Sequence, residues 1–235
     1  MIDMHSHILF GVDDGCKTID DSIRMINKAV SVGVTNIILT PHYAPLRGYV
    51  EPNEIVHENY KQLQDRVHEL SIPINLYLGR EIDKTDGIEN LLRKGLVNTI
   101  NNTNYVLVDF GMEKSDIDEY CYELVIAGYI PIIAHPERYN YIDDLSLYRK
   151  WKKTGALIQI NASSLVHTKS KNAKKVAKHL LSKGLVDLVG SDVHSNEASY
   201  DYFLKATKVI GNKNMSEFNI NCNKLIKGGN YNEKL

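Results

Sequence analysis

Cysteine is scarce in this 235-residue sequence, and the three present, Cys16, Cys121 and Cys222, are odd in number and far apart. Such spacing argues against a disulfide framework or a cysteine zinc site and fits a reducing compartment, so a cytoplasmic location is expected. None of the three is followed six positions later by arginine, which removes the thiolate-plus-arginine phosphate loop from consideration. Excess charge is missing too: 28 Lys and Arg stand against 29 Asp and Glu, for a net charge of -1. No broad basic field exists to hold a nucleic-acid backbone or an anionic membrane, and neither partner is expected. No run approaches the roughly 18 apolar residues needed to span a bilayer, and neither end carries a lipidation signal. The opening MIDMHSH lacks the positive start and apolar run of a secretory signal, so it is read as part of the mature protein.

What is present is ordinary globular material, 43% hydrophobic and 24% charged, enough for a sizeable core. The length suits one α/β domain over 1–235, with a partly ordered, helical tail from about 212. Short Val- and Ile-rich runs alternate with segments of helical period, the rhythm of βαβ units around a parallel sheet. Seven runs read as strands: 2–7, 36–42, 74–82, 105–110, 130–135, 156–161 and 186–192. Helices are expected at about 19–32, 52–70, 86–95, 116–127, 143–154, 169–183 and 196–210. The stretch 43–52, YAPLRGYVEP, has two prolines and a glycine and reads as an ordered loop, a candidate lid.

The polar residues cluster at one end of the runs. Asp3, His5 and His7 alternate, which on a regular strand puts them on one face. His42, Glu81, Asp109, His135, Asn161, and Asp192 with His194 close the other six runs. In α/β barrels the C-terminal rim of the strands is where ligands gather, so all seven ends are expected to converge. Imidazole and carboxylate without thiolate is a ligand set for hydrolytic zinc, manganese or iron, and the supply exceeds one tetrahedral site, implying two or three ions. Asp13 and Asp14 follow in the loop after the first run; one is a candidate ligand, while the other organises the Asp-Gly turn. Thr18 is positioned to cap the next helix, with Asp20 and Asp21 in its first turn. His57, His68, His167 and His179 fall in helical or loop segments and are expected to be structural.

The motifs MIDMHSHILFGVDDG, LTPH, GREI, IIAHPERY and VGSDVH resemble the polymerase-and-histidinol-phosphatase (PHP) superfamily of metal-dependent phosphoesterases. More narrowly, they resemble its bacterial tyrosine-protein phosphatases of capsule and exopolysaccharide synthesis. The resemblance implies a distorted seven-stranded (β/α)7, TIM-like barrel with a trinuclear site, usually manganese. Carried over position by position, His5, His7, Glu81 and Asp192 would hold one ion, Glu81, Asp109 and His135 a second, and Asp14, His42 and His194 a third. Arg138 would grip the phosphate. Two positions depart from the family pattern: Asp109 stands where glutamate is usual, and HSNEASYDY lacks an arginine after the last histidine.

The expected reaction is hydrolysis of phosphotyrosine by metal-activated hydroxide, with no covalent phosphoenzyme. His42 or His194 is the candidate general acid, and Arg47 with Tyr43 or Tyr49 on the 43–52 loop would clamp the phosphoaryl group. Asp3 is expected to orient a histidine from behind. By resemblance, the substrate is the tyrosine-rich tail of a bacterial tyrosine kinase. A histidinol-phosphate-type phosphatase or a nuclease on the same metal core, and a metal-binding regulatory protein without turnover, are the rival readings. The neutral charge weighs against the nuclease.

Overall fold

The computed structural model describes residues 1–167 and 170–228, so the last part of the tail lies outside the described residues. All strands run parallel. The first three, β1 (Ile2–Ser6), β2 (Asn36–Leu39) and β4 (Asn75–Leu78), pair in the order β1-β2-β4. The other six, β3 (His42–Tyr43), β5 (Glu81–Asp83), β6 (Tyr105–Asp109), β7 (Ile130–Ile133), β8 (Leu157–Asn161) and β9 (Leu188–Gly190), pair in the order β3-β5-β6-β7-β8-β9. A parallel bridge from Ser6 to Val193 brings the far edge back to β1.

The described residues thus hold nine strands where seven runs were expected. The difference lies in the runs 36–42 and 74–82, each broken into two pieces. Pro41 has no N–H to donate, and Gly79 sits where an added Cβ would lie 2.5 Å from Ile100 Cδ1. Pairing nevertheless continues across the breaks, since Gly79 N donates to Leu39 O at 2.8 Å and Glu81 N to Pro41 O at 3.2 Å. The two sheets are therefore consecutive sectors of one curled, barrel-type wall.

Helices cover the outside because their apolar faces match the outward strand residues. Helix α1 (Ile19–Ser31) begins in a capping box: Asp21 N donates to Thr18 Oγ1, and Thr18 N to Asp21 Oδ2. Such a cap contributes about 1 kcal/mol. Around the ring follow α2 (Asn53–Glu69), α3 (Ile88–Arg93), α4 (Ile117–Ile126), α5 (Ser146–Lys153), α6 (Ala162–Val166), α7 (Lys171–Ser182) and α8 (Ala198–Ile210). Among the α-helices of the described residues, only the one-turn α6 was without a sequence signal. One apolar cluster fills the layer between wall and helices, with Ile37, Val106, Ile133, Ile158 and Trp151 buried in it.

A second cluster, of Met4, Ile38, Leu107, Ile132 and Leu188, fills the barrel interior. Its floor is α9 (Asn212–Lys227), which adds Cys222 and Leu225 where the strands begin. Asn219 Oδ1 accepts from Ile2 N, and Asn221 Nδ2 donates to Asp187 O. With that end closed by apolar side chains, the C-terminal rim is left for polar chemistry. Among the described residues no helix is long and apolar enough to cross a membrane.

Candidate metal centre

Strand β1 delivers His5 and His7 by an irregularity. Asp3 is opposite Ile37, but Ser6 is opposite Leu39, so β1 carries one residue more than its partner in between. A bulge of this kind re-aims side chains. Met4 packs in the inner cluster and His5 and His7 reach the rim, whereas Asp3 does not join them. The Asp3 carboxylate takes Ser191 N at 2.8 Å and Ser191 Oγ at 2.6 Å. It also receives the backbone N–H of His5 at 3.4 Å. Asp3 therefore fixes β1 to the β9 end rather than orienting an imidazole ring.

Glu81, at the start of β5, is the hub. His135 Nε2 lies 2.8 Å from its Oε1, while His42 Nδ1, His7 Nε2 and His5 Nε2 lie 2.9, 3.2 and 3.3 Å from its Oε2. Three groups of candidate ligand atoms, each within 4.8 Å of one another, surround it: His5, His7 and Glu81; Glu81, Asp109 and His135; His7, Asp14, His42 and His194. Asp192 Oδ1 stands 3.4 Å from His7 Nε2 and 3.7 Å from His5 Nε2. Every metal-ligand candidate named from sequence is in or beside these groups. His57 instead faces Asn98, and His167 stacks on Tyr202 at 4.1 Å.

The residues behind the cluster fix which ring nitrogens face it. Asp13 accepts from His7 Nδ1 at 2.9 Å, from His42 N at 3.0 Å and, through its other oxygen, from Gly15 N at 2.9 Å. Gln159 Nε2 donates to Asn161 Oδ1 at 3.0 Å, and Asn161 Nδ2 donates to Asp192 Oδ2 at 2.6 Å. That chain of amides leaves Gln159 Oε1 to accept from His5 Nδ1 at 3.1 Å. Both His5 and His7 then carry their hydrogen on Nδ1 and turn Nε2 inward. The two Nε2 atoms are 3.1 Å apart, and Glu81 Oε2 beside them is buried without a hydrogen bond. Lone pairs meeting lone pairs across a buried space is the arrangement that a cation resolves.

Without an ion, the same buried acceptors draw protons into its place. Burial disfavours charge on every member, but attraction between the two sets outweighs it. Asp13, Asp192 and Glu81 hold His7 well above the ordinary imidazole range, and His5, His135 and His42 hold Glu81 well below the ordinary carboxylate range. Asp192 is depressed likewise, and Asp109 with Glu81 lifts His135 to about 9. Two members also sit on left-handed backbone, His135 with φ 34° and Asp192 with φ 52°, values uncommon for residues other than glycine.

Residues 1–226 match the family described as Capsular polysaccharide synthesis, CpsB/CapC. The chain belongs to that family. It is 38% identical over 200 residues to the Putative tyrosine-protein phosphatase CapC of Staphylococcus aureus, covering 83% of this chain and 77% of that one. It is 36% identical over 200 residues to the tyrosine-protein phosphatase YwqE of Bacillus subtilis strain 168, covering 83% and 78%. A solved chain from the crystal structures of YwqE from Bacillus subtilis and CpsB from Streptococcus pneumoniae, described as unique metal-dependent tyrosine phosphatases, superposes with a TM-score of 0.89. That match has 32% identity and covers 98% of this chain and 96% of that one. Histidinol phosphate phosphatase from Lactococcus lactis shares the fold, with a TM-score of 0.55 at 15% identity over 89% and 93% of the two chains.

The rim of this CpsB/CapC-family chain holds the remaining candidates. Arg138 ends a one-turn helix over Pro136–Arg138 and donates NH1 to Asp192 Oδ2 at 3.0 Å, with its side chain about half exposed (48%). Asp109, one methylene shorter than glutamate, still reaches the Glu81 and His135 group and is held by Gly111 N at 2.8 Å and Tyr139 Oη at 3.2 Å. Arg47 is engaged already: its Nε and NH2 grip both oxygens of Asp83 at 3.0 and 2.6 Å, and NH2 also faces His42 Nδ1. Tyr43 is half-buried, with the Arg80 guanidinium 5.9 Å from its ring centre. Fully buried Arg80 donates to the carbonyls of His42 and Glu51, tying both ends of the 43–52 loop. Sequence reading missed Arg80, Asp13's hold on His7, Gln159, and Glu137, which accepts from Asn161 N. The alternation of Gln159 and Asn161 along LIQIN was the available signal.

Proposed function

We propose that this chain is a metal-dependent protein-tyrosine phosphatase acting on a phosphotyrosyl protein in capsule or exopolysaccharide synthesis, with a bacterial tyrosine kinase tail as its substrate and the cytoplasm as its place of work. The observation that carries the reading is the hub: one buried carboxylate, Glu81, faced within 3.3 Å by nitrogens of four imidazoles, His5, His7, His42 and His135. The names of the CpsB/CapC relatives supply the substrate class.

In this reading His5, His7, Glu81 and Asp192 hold one divalent ion, Glu81, Asp109 and His135 a second, and Asp14, His42 and His194 a third, with manganese the expected metal. Divalent cations supply Lewis acidity, offsetting phosphoryl charge and making water a nucleophile near neutral pH. The protein's own part is positional. Asp13 and Gln159 hold the His7 and His5 rings with Nε2 inward. Glu81 offers one oxygen to each neighbouring group. Arg138 keeps one bond to Asp192 and presents the rest of its planar fork to the equatorial phosphate oxygens. The candidate general acid for the departing phenolate is His42 or His194, whichever ring keeps a nitrogen free of the metal; His194, a third exposed (33%) beside Asp14, is the more accessible. A phenol, with a pKa of about 10, needs less help in leaving than an alkyl alcohol.

The test compares manganese-loaded and chelated protein on p-nitrophenyl phosphate, a phosphotyrosyl peptide and histidinol phosphate. The expected result is metal-dependent hydrolysis preferring the aryl phosphates, abolished in His5→Ala and with a raised KM in Arg138→Ala. Undiminished hydrolysis by His5→Ala refutes the metal assignment, and preference for histidinol phosphate transfers the chain to the small-molecule phosphatases.

A further inference from the structure

We infer that the groove between the Pro45–Arg47 turn and the 110–115 loop seats the stretch of substrate chain beside the phosphotyrosine, and that it selects a bulky apolar side chain there. This rests on the phosphatase reading above and adds to it a determinant of sequence preference.

The groove has a volume of about 520 Å³, within the range of sites that enclose a ligand. Asp109 belongs both to its lining and to the candidate metal centre, so the groove continues the reaction site rather than forming a separate one. Its two lips are apolar and uncovered. Leu46 is 100% exposed on one side and Met112 is 55% exposed on the other, while Phe110 between them is buried. A fully solvated leucine beside a polar reaction centre has no role in the fold, since it contributes nothing to the core.

Two further observations limit the occupant. Backbone N–H groups at the ends of β5 and β6 are already engaged: Lys84 N donates to Asp109 O at 2.8 Å, Gly111 N to Asp109 Oδ1, and Thr85 N to Tyr120 Oη. A docked segment therefore does not pair with those strand ends, and its side chains carry recognition. The charges do not select a sign either, because Asp86 and Glu113 are balanced by Lys84 and Lys114, Arg47 already grips Asp83, and Asp109 belongs to the candidate metal centre. The apolar lips remain as the selective feature.

The test uses full-length manganese-loaded protein with Leu46→Asp, Met112→Asp and the double variant. Because both side chains are exposed, none of these changes removes core packing. Substrates are p-nitrophenyl phosphate and two phosphotyrosyl peptides differing only in leucine or aspartate next to the phosphotyrosine. The expected result is a wild-type preference for the leucine peptide of about 10-fold in kcat/KM, residing in KM and lost in the double variant, with p-nitrophenyl phosphate turnover unchanged. A non-hydrolysable phosphonate version of the leucine peptide should bind the double variant about 10-fold more weakly by fluorescence anisotropy. Equal kcat/KM for both peptides in wild type and variants overturns the inference while leaving the phosphatase reading intact. So does a wild-type dimer in sedimentation that Leu46→Asp dissociates, since the lips would then belong to a second copy. Failure to hydrolyse p-nitrophenyl phosphate at all removes the phosphatase reading, and the inference falls with it.

Discussion

Asp13→Asn isolates what the residues behind the cluster contribute. The Asp13 carboxylate receives three hydrogens, from His7 Nδ1, His42 N and Gly15 N, all at 2.9 or 3.0 Å and out of contact with water. The amide replacement keeps the shape but offers one acceptor oxygen in place of two and turns an N–H₂ toward other donors. At about 1.5–3 kcal/mol for a hydrogen bond to a charged group, losing one such bond and weakening another costs about 2 kcal/mol of stability. For a chain of this size that lowers Tm by about 4–8 °C. The larger effect is on metal binding. His7 is free to turn and the backbone at His42 loosens, so two of the three ligand groups lose definition together. Manganese affinity should fall by about 10–100-fold, the usual result of removing a partner that orients a ligand. The measurement is a manganese titration against a competing chelator, with thermal melts of the metal-free proteins. Asp21→Asn is the control, because it weakens the α1 capping box, which lies outside the candidate ligand groups. If Asp13→Asn melts early but titrates like wild type, Asp13 is only a loop anchor and the positional account of His7 is wrong.

Three other outcomes follow from the same geometry. Gln159→Leu leaves His5 Nδ1, His135 N and Asn161 Oδ1 unpaired in a buried space, so it should lower Tm and weaken metal binding together, whereas an apolar swap at Ile160 should affect Tm alone. Gly190→Ala places a Cβ 2.4 Å from His5 Cβ; it should cost about 1–3 kcal/mol in a denaturant titration and reduce manganese uptake, and wild-type behaviour would show that β1 can give way there. Burial raises the thiols of Cys16 and Cys121 to about 11 and 12 and pushes Cys222 up further, so a disulfide reagent at pH 8 should label none of the three in native protein and all three in denaturant. Fast labelling of any one in the native state would contradict the packing described.

Much of this molecule is legible in one dimension because its signals are local. Period-two and period-3.6 patterns depend on neighbouring residues, so the runs and seven of the helices follow directly, and Thr18 caps α1 as its position suggests. The ligand candidates are legible for a related reason: a histidine or carboxylate closing a Val- and Ile-rich run is conspicuous, and parallel α/β topology gathers such run ends at one rim. What the residue order could not decide is how a strand treats its neighbours. The extra residue in β1 sends Asp3 to Ser191 while His5 and His7 reach the cluster, and it exists only relative to β2. The breaks at Pro41 and Gly79 follow from a missing donor and from the nearness of Ile100. Gln159, Asp13 and Arg80 act through partners as far as 154, 29 and 38 positions away, distances at which no periodicity carries information. The sequence by itself determined which donors the rim holds. Only the tertiary structure decided which nitrogens face inward, because that is set by hydrogen bonds between segments that meet in space alone.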